Sequence, residues 1–263
     1  MTPTKSSTQR KRSPIKQSAL PQPGDGLRGE IHERVITAMG WAIMPFMLFS
    51  LMMVEWMRLV FPTGPAHWQT TVLFVVSLAI CAPKTWRLLR SVDNLSLGLR
   101  GERTVGQALQ ALIARGYRVF HDLQQDGYNI DHVLIGPGGV FAIETKTISK
   151  PNDHDAKITH DGRQIFVDGH PLDRDPLTQA EASARRVRQI LREQTGQDIP
   201  VKPVVLFPGW YIEHTTPPGN AKVYVANEIW FLKSFDYAHG RATIDEKTMA
   251  LLAAGMEREQ RRG

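Results

Sequence analysis

The sequence predicts a mixed α/β domain that follows a two-helix transmembrane hairpin. Two apolar runs near the start of the chain, Val35–Val54 and Trp68–Ala82, contain no charged residue. After them, short segments rich in valine and isoleucine alternate with segments that repeat apolar residues at helical spacing. One such helix lies between two apolar strands, an arrangement that joins parallel neighbours through a crossover. We therefore expect a central sheet of mixed direction with helices on its faces.

Composition indicates one domain of ordinary size with additional segments. The chain has 263 residues, a net charge of +6 and one cysteine, Cys81, which excludes an internal disulfide framework. The basic segment Met1–Arg28 buries too little apolar surface to fold alone. Such a tail suits contact with nucleic acid or anionic lipid, but we favour a role in setting membrane orientation. The predicted organisation is a disordered tail (1–34), a transmembrane hairpin (35–83), a basic linker (84–98), the domain (99–215) and its C-terminal helical extension (216–263).

Both apolar runs are predicted to contact the lipid bilayer. Val35–Val54 is long enough to cross it as a helix. Trp68–Ala82 is shorter, and it is either a span completed by its flanks or a re-entrant segment. Trp56 and Trp68 favour a span, because aromatic residues mark membrane interfaces. Basic residues flank the hairpin on both outer sides, which predicts that both termini and the domain are cytoplasmic; those after it are Lys84, Arg87 and Arg90.

Two carboxylates and a lysine are predicted to meet on one hairpin. Ile130–Ile135 and Val140–Thr147 are predicted strands, and the glycine-rich segment between them supplies a turn. Alternation along antiparallel strands places Asp131 beside Glu144 and Lys146. Half-buried carboxylates are costly unless something uses them, and their open oxygens suit Mg²⁺. The same pattern is also an ordinary solvent-facing strand, and both interpretations stand on the pattern alone.

Two predicted helices contribute further candidates. Leu95–Arg115 has its apolar stripe around Val105 and Leu109, and Glu102 lies at the end of that stripe facing the core. Glu102 is either a site residue or a first-turn glutamate favoured by the helix dipole. The second helix, Pro176–Gln194, has Gln179 on a polar face. Its basic face either binds nucleic-acid phosphates or is a solvated surface, and consists of Arg185, Arg188 and Arg192.

Several short motifs, in this order along the chain, resemble those of a nuclease family. They are Gly101-Glu102, Asn129-Ile130-Asp131-His132, Gly139-Val140-Phe141 and Glu144-Thr145-Lys146. Asp131 together with Glu144-Thr145-Lys146 resembles the PD-(D/E)xK nuclease signature. The whole set of motifs resembles the NERD (nuclease-related domain) family from about Gly101 to about Phe207. Gln179 is similar to a glutamine found on this helix in NERD proteins. The resemblance implies a restriction-endonuclease-like α/β core.

The resemblance also implies a reaction and a set of roles. Asp131 and Glu144 are expected to bind Mg²⁺ or Mn²⁺, with the backbone carbonyl of Thr145 as a third ligand. Lys146 would orient the attacking water, and Glu102 and Gln179 would complete the catalytic set. The expected function is that of a membrane-anchored, metal-dependent nuclease that hydrolyses DNA; the sequence does not distinguish DNA from RNA. The alternatives are an inactive, membrane-tethered module that binds nucleic acid or acts as a scaffold, and a hairpin that assembles with membrane partners.

Other reaction classes find no support in the sequence. The histidines lack the paired spacing of structural zinc sites. The glycine-rich segment 136–139 joins strand to strand, so no helix offers its N-terminus to a phosphate there. The sequence also contains no nucleophile elbow for hydrolysis through serine or cysteine.

Overall fold

The computed structural model describes residues 22–57, 68–125, 127–151, 155–172, 175–217, 221–239 and 244–262. Most of the predicted tail (1–21) and the loop between the predicted spans (58–67) lie outside this description. The elements in chain order are α1 (Asp25–Met57), α2 (Trp68–Gln110), a 3-10 turn (Ile113–Arg115), β1 (Arg118–Gln125), β2 (Tyr128–Gly136), β3 (Gly139–Thr145), β4 (Ile158–His160), β5 (Ile165–Val167), β6 (His170–Pro171), α3 (Pro176–Thr195), β7 (Val201–Leu206), β8 (Ile212–His214), β9 (Tyr224–Ala226), α4 (Glu228–His239) and α5 (Glu246–Gln260).

The helices α1 and α2 lie side by side and run in opposite directions. Trp56 Nε1 donates to Thr71 Oγ1 at 3.0 Å near one end. Farther along, Lys84 Nζ lies 3.9 Å from the centroid of the Trp41 ring. Both helices are long and apolar enough to cross a membrane, and only 11% of each apolar window is buried. This exposure distinguishes them from the core helices of a soluble protein and favours membrane association.

Both helices extend beyond the predicted apolar runs. The first begins at Asp25, ten residues before the predicted span, and Glu30 and Arg34 form an ion pair one turn apart in this extension. The second continues through residues 84–98, which were predicted to be a linker. No glycine or proline lies between Pro83 and Gly98, so nothing in this stretch interrupts the helix. The division of the chain into domains at the predicted boundaries stays a prediction.

A five-stranded sheet forms the centre of the domain, in the order β1-β2-β3-β7-β9. The first three strands are antiparallel, whereas β7 pairs parallel with both β3 and β9. The helix α3 is the crossover between β3 and β7, as predicted. It begins at the cap residue Asp175, whose side chain accepts from the backbone of Leu177 and Thr178, and it ends at Gly196 in the left-handed conformation. The predicted mixed α/β fold, with a nuclease-like core behind two long apolar helices, is confirmed.

Helices cover both faces of this sheet. On one face, α3 and α5 pack against β2 and β3 through residues such as Val187 and Leu252. On the other, the end of α2 and the helix α4 contribute Leu109 and Phe231. The C-terminal elements thus pack into the same two cores as the central strands.

The predicted small hairpin belongs to a second sheet. Its strands β4 and β5 lie in the order β6-β5-β4-β8, and β8 is parallel to β4. This sheet packs around Trp210, whose Nε1 donates to the backbone oxygen of Ile148 at 3.1 Å, just beyond the end of β3.

Candidate active site

The strands β2 and β3 bring Asp131 and Glu144 together. His132 pairs with Ile143 in the antiparallel register, so the next positions outward, Asp131 and Glu144, lie side by side on one face. The backbone N–H of Thr145 donates to Asp131 Oδ2 at 2.7 Å, which fixes the Asp131 carboxylate against the end of β3. The predicted neighbourhood of Asp131, Glu144 and Lys146 is the arrangement found in the structure.

The helix α2 brings Glu102 to the same end of the sheet. Gly101 packs against Thr147, directly beyond β3, so closely that a Cβ at Gly101 would overlap the threonine side chain. This close approach requires a glycine and places the next residue, Glu102, within electrostatic range of Asp131 and Glu144. Three carboxylates from α2, β2 and β3 therefore converge.

Burial and repulsion from neighbouring carboxylates raise the pKa of Glu102, Asp131 and Glu144. Burial is the largest cause in each case. Repulsion from Asp131 further raises the pKa of Glu102 and of Glu144. The Lys146 ammonium opposes this effect and lowers the pKa of Asp131 and Glu144, but does not cancel it. The cluster consequently attracts protons or cations.

Glu144 and several residues near it in the chain have oxygen atoms without hydrogen-bond partners. Glu144 is 5% exposed, and its Oε2 has no hydrogen-bond partner. The same holds for the buried Oγ1 atoms of Thr145 and Thr147 and for Asn129 Oδ1. Buried polar atoms usually have partners, so the unpartnered Glu144 Oε2 is available to a ligand.

These oxygens fit a hard divalent cation that keeps much of its water. Across the described ranges, no three His, Cys, Asp or Glu side chains are grouped closely enough to hold a metal ion by themselves. Mg²⁺, however, commonly binds through one or two carboxylates and retains several waters. Asp131 and Glu144 with a backbone carbonyl would satisfy that requirement.

A fourth carboxylate, Asp122, lies at this cluster and was not predicted. It is 4% exposed, adopts a positive φ of 54°, and raises the pKa of Glu102 and of Asp131 by repulsion. Its Oδ1 accepts from Asn129 Nδ2, and its Oδ2 accepts from the backbone N–H of Gly26 at 2.6 Å. A sequence signal existed, because a hairpin turning at Asp126-Gly127 places position 122 opposite Asp131.

The helix α3 places its candidates at two different ends of the sheet. Its first turns pack near Val205 and Phe207, so the exposed Gln179 lies at the carboxylate end. Arg185 and Arg188 instead line a cleft with Val201, which pairs with Val140 at the other end of β3. Thr145 lies five positions after Val140 on the strand, about 17 Å away at the usual rise per residue.

The arginines of α3 also have acidic partners. Arg188 makes two hydrogen bonds to Asp198, at 2.6 and 2.7 Å, and Arg185 lies 3.5 Å from Glu181. Arg192 lies one turn beyond Arg188, still farther from the carboxylates. The structure thus brings Glu102, Asp131, Glu144 and Lys146 together but does not bring these arginines to them.

Comparison with protein families identifies this part of the chain. Residues 97–208 match the family described as "Nuclease-related domain" (NERD). This part of the chain is therefore similar to a nuclease-related domain. The match runs from the last part of α2 through β7 and includes all of the converging residues except the segment that contains Gly26. Neither the curated proteins nor the solved structures yielded a match.

The nuclease-related domain indicates a nuclease-related function and, in general terms, nucleic acid as its substrate. It also suggests a divalent metal cofactor, in agreement with the unpartnered oxygens around Glu144. The two apolar helices suggest attachment of this domain to a lipid bilayer.

Proposed function

We propose that this protein is a membrane-anchored, metal-dependent nuclease that hydrolyses phosphodiester bonds of DNA. The observation that supports this most directly is the buried Glu144 Oε2, which has no partner and lies beside Asp131 and Lys146 in a nuclease-related domain. An unpartnered, buried carboxylate oxygen beside a second carboxylate is what a site for a hard cation requires.

In this proposal, Asp131 and Glu144 bind Mg²⁺ or Mn²⁺, and the backbone carbonyl of Thr145 is a third ligand. The cation, when bound, supplies Lewis-acid stabilisation of the charge that develops on the phosphate. The bond from the Thr145 N–H to Asp131 Oδ2 holds one carboxylate oxygen in place and leaves the other to bind. No large rearrangement of the two strands is then needed.

Lys146 and Glu102 have complementary roles in the proposed reaction. Lys146 follows Glu144 by two residues, so the two side chains lie on the same face of the chain. Its ammonium orients the attacking water and stabilises negative charge on the phosphate. Glu102 approaches the carboxylate pair from α2 and receives or releases the proton of that water, helped by its raised pKa. Gln179, exposed at the same end of the sheet, contacts the substrate.

Substrate binding outside the reacting centre is assigned to Arg185, Arg188 and Arg192. The ion pairs of Arg185 and Arg188 with acidic neighbours are exposed, and exposed pairs contribute little to stability, so phosphates can replace those partners at little cost. Arg192→Ala should reduce the dependence of log affinity on log salt by about 0.9 if Arg192 neutralises one phosphate of duplex DNA.

The proposed arrangement places the domain in the cytoplasm, where it reaches DNA, with both termini on the same side of the membrane. The antiparallel contact of α1 and α2 supports this topology, because a two-helix hairpin returns the chain to the side from which it started.

Cleavage by the purified full chain tests the function. Linear, circular and single-stranded DNA, and an RNA of the same sequence, are incubated with Mg²⁺, Mn²⁺ or EDTA. We expect cleavage of at least one DNA only with metal, and its loss in Glu144→Gln. Glu193→Gln is the matched control, since Glu193 is exposed on the last turns of α3. Binding without cleavage by the wild type would favour the inactive binding module. Equal cleavage by Glu144→Gln would contradict the site.

A further inference from the structure

We propose that the start of α1 forms one wall of the candidate active site and that Asp122 is the positioning residue that holds it there. The catalytic consequence rests on the proposed function, whereas the docking itself does not. The membrane helix would then be a structural part of the site as well as an anchor.

The docking contact includes a partly buried hydrogen bond between two residues that are far apart in the chain. The N–H of Gly26, in the first turn of α1, donates at 2.6 Å to Oδ2 of Asp122, which lies 96 positions later in the chain. A carboxylate at this place also interacts favourably with the positive end of the helix dipole. Asp122 thus caps a helix that belongs to the membrane hairpin, and its other oxygen is bonded to Asn129 in β2.

The backbone conformation of Asp122 is consistent with a specific role. Its φ of 54° lies in the left-handed region, which side-chain-bearing residues rarely adopt and which aspartate and asparagine tolerate best. In this conformation the residue leaves the regular ladder between His121 and Leu123, both of which pair with β2. Such local strain persists where the surrounding structure fixes it, commonly at functional sites.

Glycines bring the start of α1, and the residues just before it, close to the C-terminal part of α2. A Cβ at Gly24, whose φ is +77°, would overlap Leu99 Cδ1 and lie 3.4 Å from Glu102 Oε2. A Cβ at Gly106 would overlap the ring of Pro23, and one at Gly98 would lie 3.4 Å from Leu27 Cδ1. Contacts with so little clearance indicate a fixed packing surface.

This packing places the start of α1 directly against a proposed catalytic residue. Gly24 is adjacent to the Glu102 carboxylate, and Gly26 is bonded to Asp122, which lies near Glu102 and Asp131. Moving this segment away would expose Glu102 and leave the Oδ2 atom of the buried Asp122 without its donor, the Gly26 N–H. The start of α1 and the apolar segment belong to the same helix, which runs from Asp25 to Met57.

Carboxyl labelling of the full chain in detergent or liposomes tests the docking without any assay of activity. Glu102 is labelled with a carbodiimide and glycine ethyl ester and quantified by mass spectrometry. Gly24→Ala introduces the overlap with Leu99 and should undock the start of α1, which breaks the hydrogen bond from Gly26 to Asp122. The labelling rate of Glu102 should then rise by about tenfold, the factor that corresponds to one lost hydrogen bond. Gly29→Ala is the matched control in the same helix, since a Cβ there meets nothing within 4 Å.

A second pair of variants tests Asp122 itself and remains informative if Gly24→Ala fails to fold. Asp122→Asn keeps an acceptor for the Gly26 N–H and tolerates the positive φ, and Asn129 can rotate its amide to offer the unpartnered Oδ1. It should leave the labelling rate within about twofold of the wild type, whereas Asp122→Ala should raise it about tenfold. Circular dichroism and thermal unfolding establish that each variant is folded.

The outcomes separate the docking from the proposed nuclease activity. Faster labelling of Glu102 together with at least about tenfold slower metal-dependent cleavage, at unchanged KM, supports the proposal. Unchanged labelling in Gly24→Ala and Asp122→Ala overturns it. Faster labelling with unchanged cleavage also overturns it, because the segment is then only packing. If the wild type cleaves nothing, the proposed function fails. The labelling result alone then supports or overturns the docking of the start of α1 beside Glu102.

Discussion

Replacing Glu144 by glutamine should stabilise the metal-free protein and remove its response to metal. Burial, repulsion from Asp131 and repulsion from Glu102 together raise the pKa of Glu144 from its ordinary value of 4.5 to about 9, against the opposing effect of Lys146. A carboxyl group whose pKa is raised by folding contributes stability that is fully present below its unfolded pKa. That stability is lost as pH rises from about 4.5 towards about 9.

The size of the effect follows from linkage. Each pH unit between the two pKa values costs about 1.36 kcal/mol, so ionisation lowers the free energy of unfolding by ~4 kcal/mol between pH 4.5 and pH 7.5. Glutamine removes this cost but leaves an amide near the position of the unpartnered Oε2, a loss of about 1–3 kcal/mol. The net gain for Glu144→Gln in EDTA at pH 7.5 is therefore about 1–3 kcal/mol, or a rise of roughly 2–10 °C in Tm.

Differential scanning fluorimetry of the full chain in detergent measures both parts of this prediction. In EDTA, the Tm of Glu144→Gln should exceed that of the wild type at pH 7.5 and approach it at pH 5. With Mn²⁺ or Mg²⁺ present, only the wild type and Glu193→Gln should gain stability, because a cation stabilises a protein only when it binds the folded state. A Glu144→Gln protein that is less stable than the wild type in EDTA would refute the reasoning, since the carboxylate would then be a structural partner.

Three further outcomes are expected. Lys146→Ala should slow single-turnover cleavage by about 10²–10⁴-fold but keep the rise in Tm that Mn²⁺ causes in fluorimetry. If the variant loses both cleavage and the rise in Tm, Lys146 has a structural role. Burial, and then His121, lowers the pKa of His132 to about 3, so the folded protein resists protonation and loses stability as pH falls from 6.5 towards about 3. His132→Leu should flatten this part of the acid-unfolding curve. Reporter fusions at the N-terminus and after Arg90 should both report cytoplasm, and one within 63–66 the opposite side.

Local pattern was enough to predict the central hairpin and the residues that meet on it. Alternation sets the face of each side chain, and the two-residue turn between Gly136 and Gly139 sets the register. That register pairs Val133 with Ala142 and brings Asp131 to Glu144. The position of Glu102 followed in the same way from the apolar stripe of its helix. Both predictions depend on residues close in sequence, whose geometry is set by strand or helix period alone.

The contacts of Asp122 could not be predicted in this way. Its partner Gly26 lies 96 positions earlier, in a segment whose composition suggested disorder up to residue 34. That segment is ordered by packing against α2 at Gly98 and Gly106, a tertiary effect that has no local pattern. The remoteness of Arg188, in contrast, was available from the sequence. A crossover helix runs opposite to its strands, so its C-terminal half must lie at the end of the sheet away from Thr145.

The charges at this end of the sheet link the stability of the protein to its proposed chemistry. The carboxylates of Glu102, Asp131 and Glu144 repel one another there, and the ammonium of Lys146 offsets only part of that repulsion. The N–H groups at the start of α1 supply a partner for the neighbouring Asp122 but none for Glu144 Oε2. The remaining repulsion favours cation binding, because a bound cation would relieve the electrostatic repulsion that destabilises the metal-free fold. Removing Glu144 and undocking α1 should therefore shift the stability of the metal-free protein in opposite directions, although both should weaken catalysis.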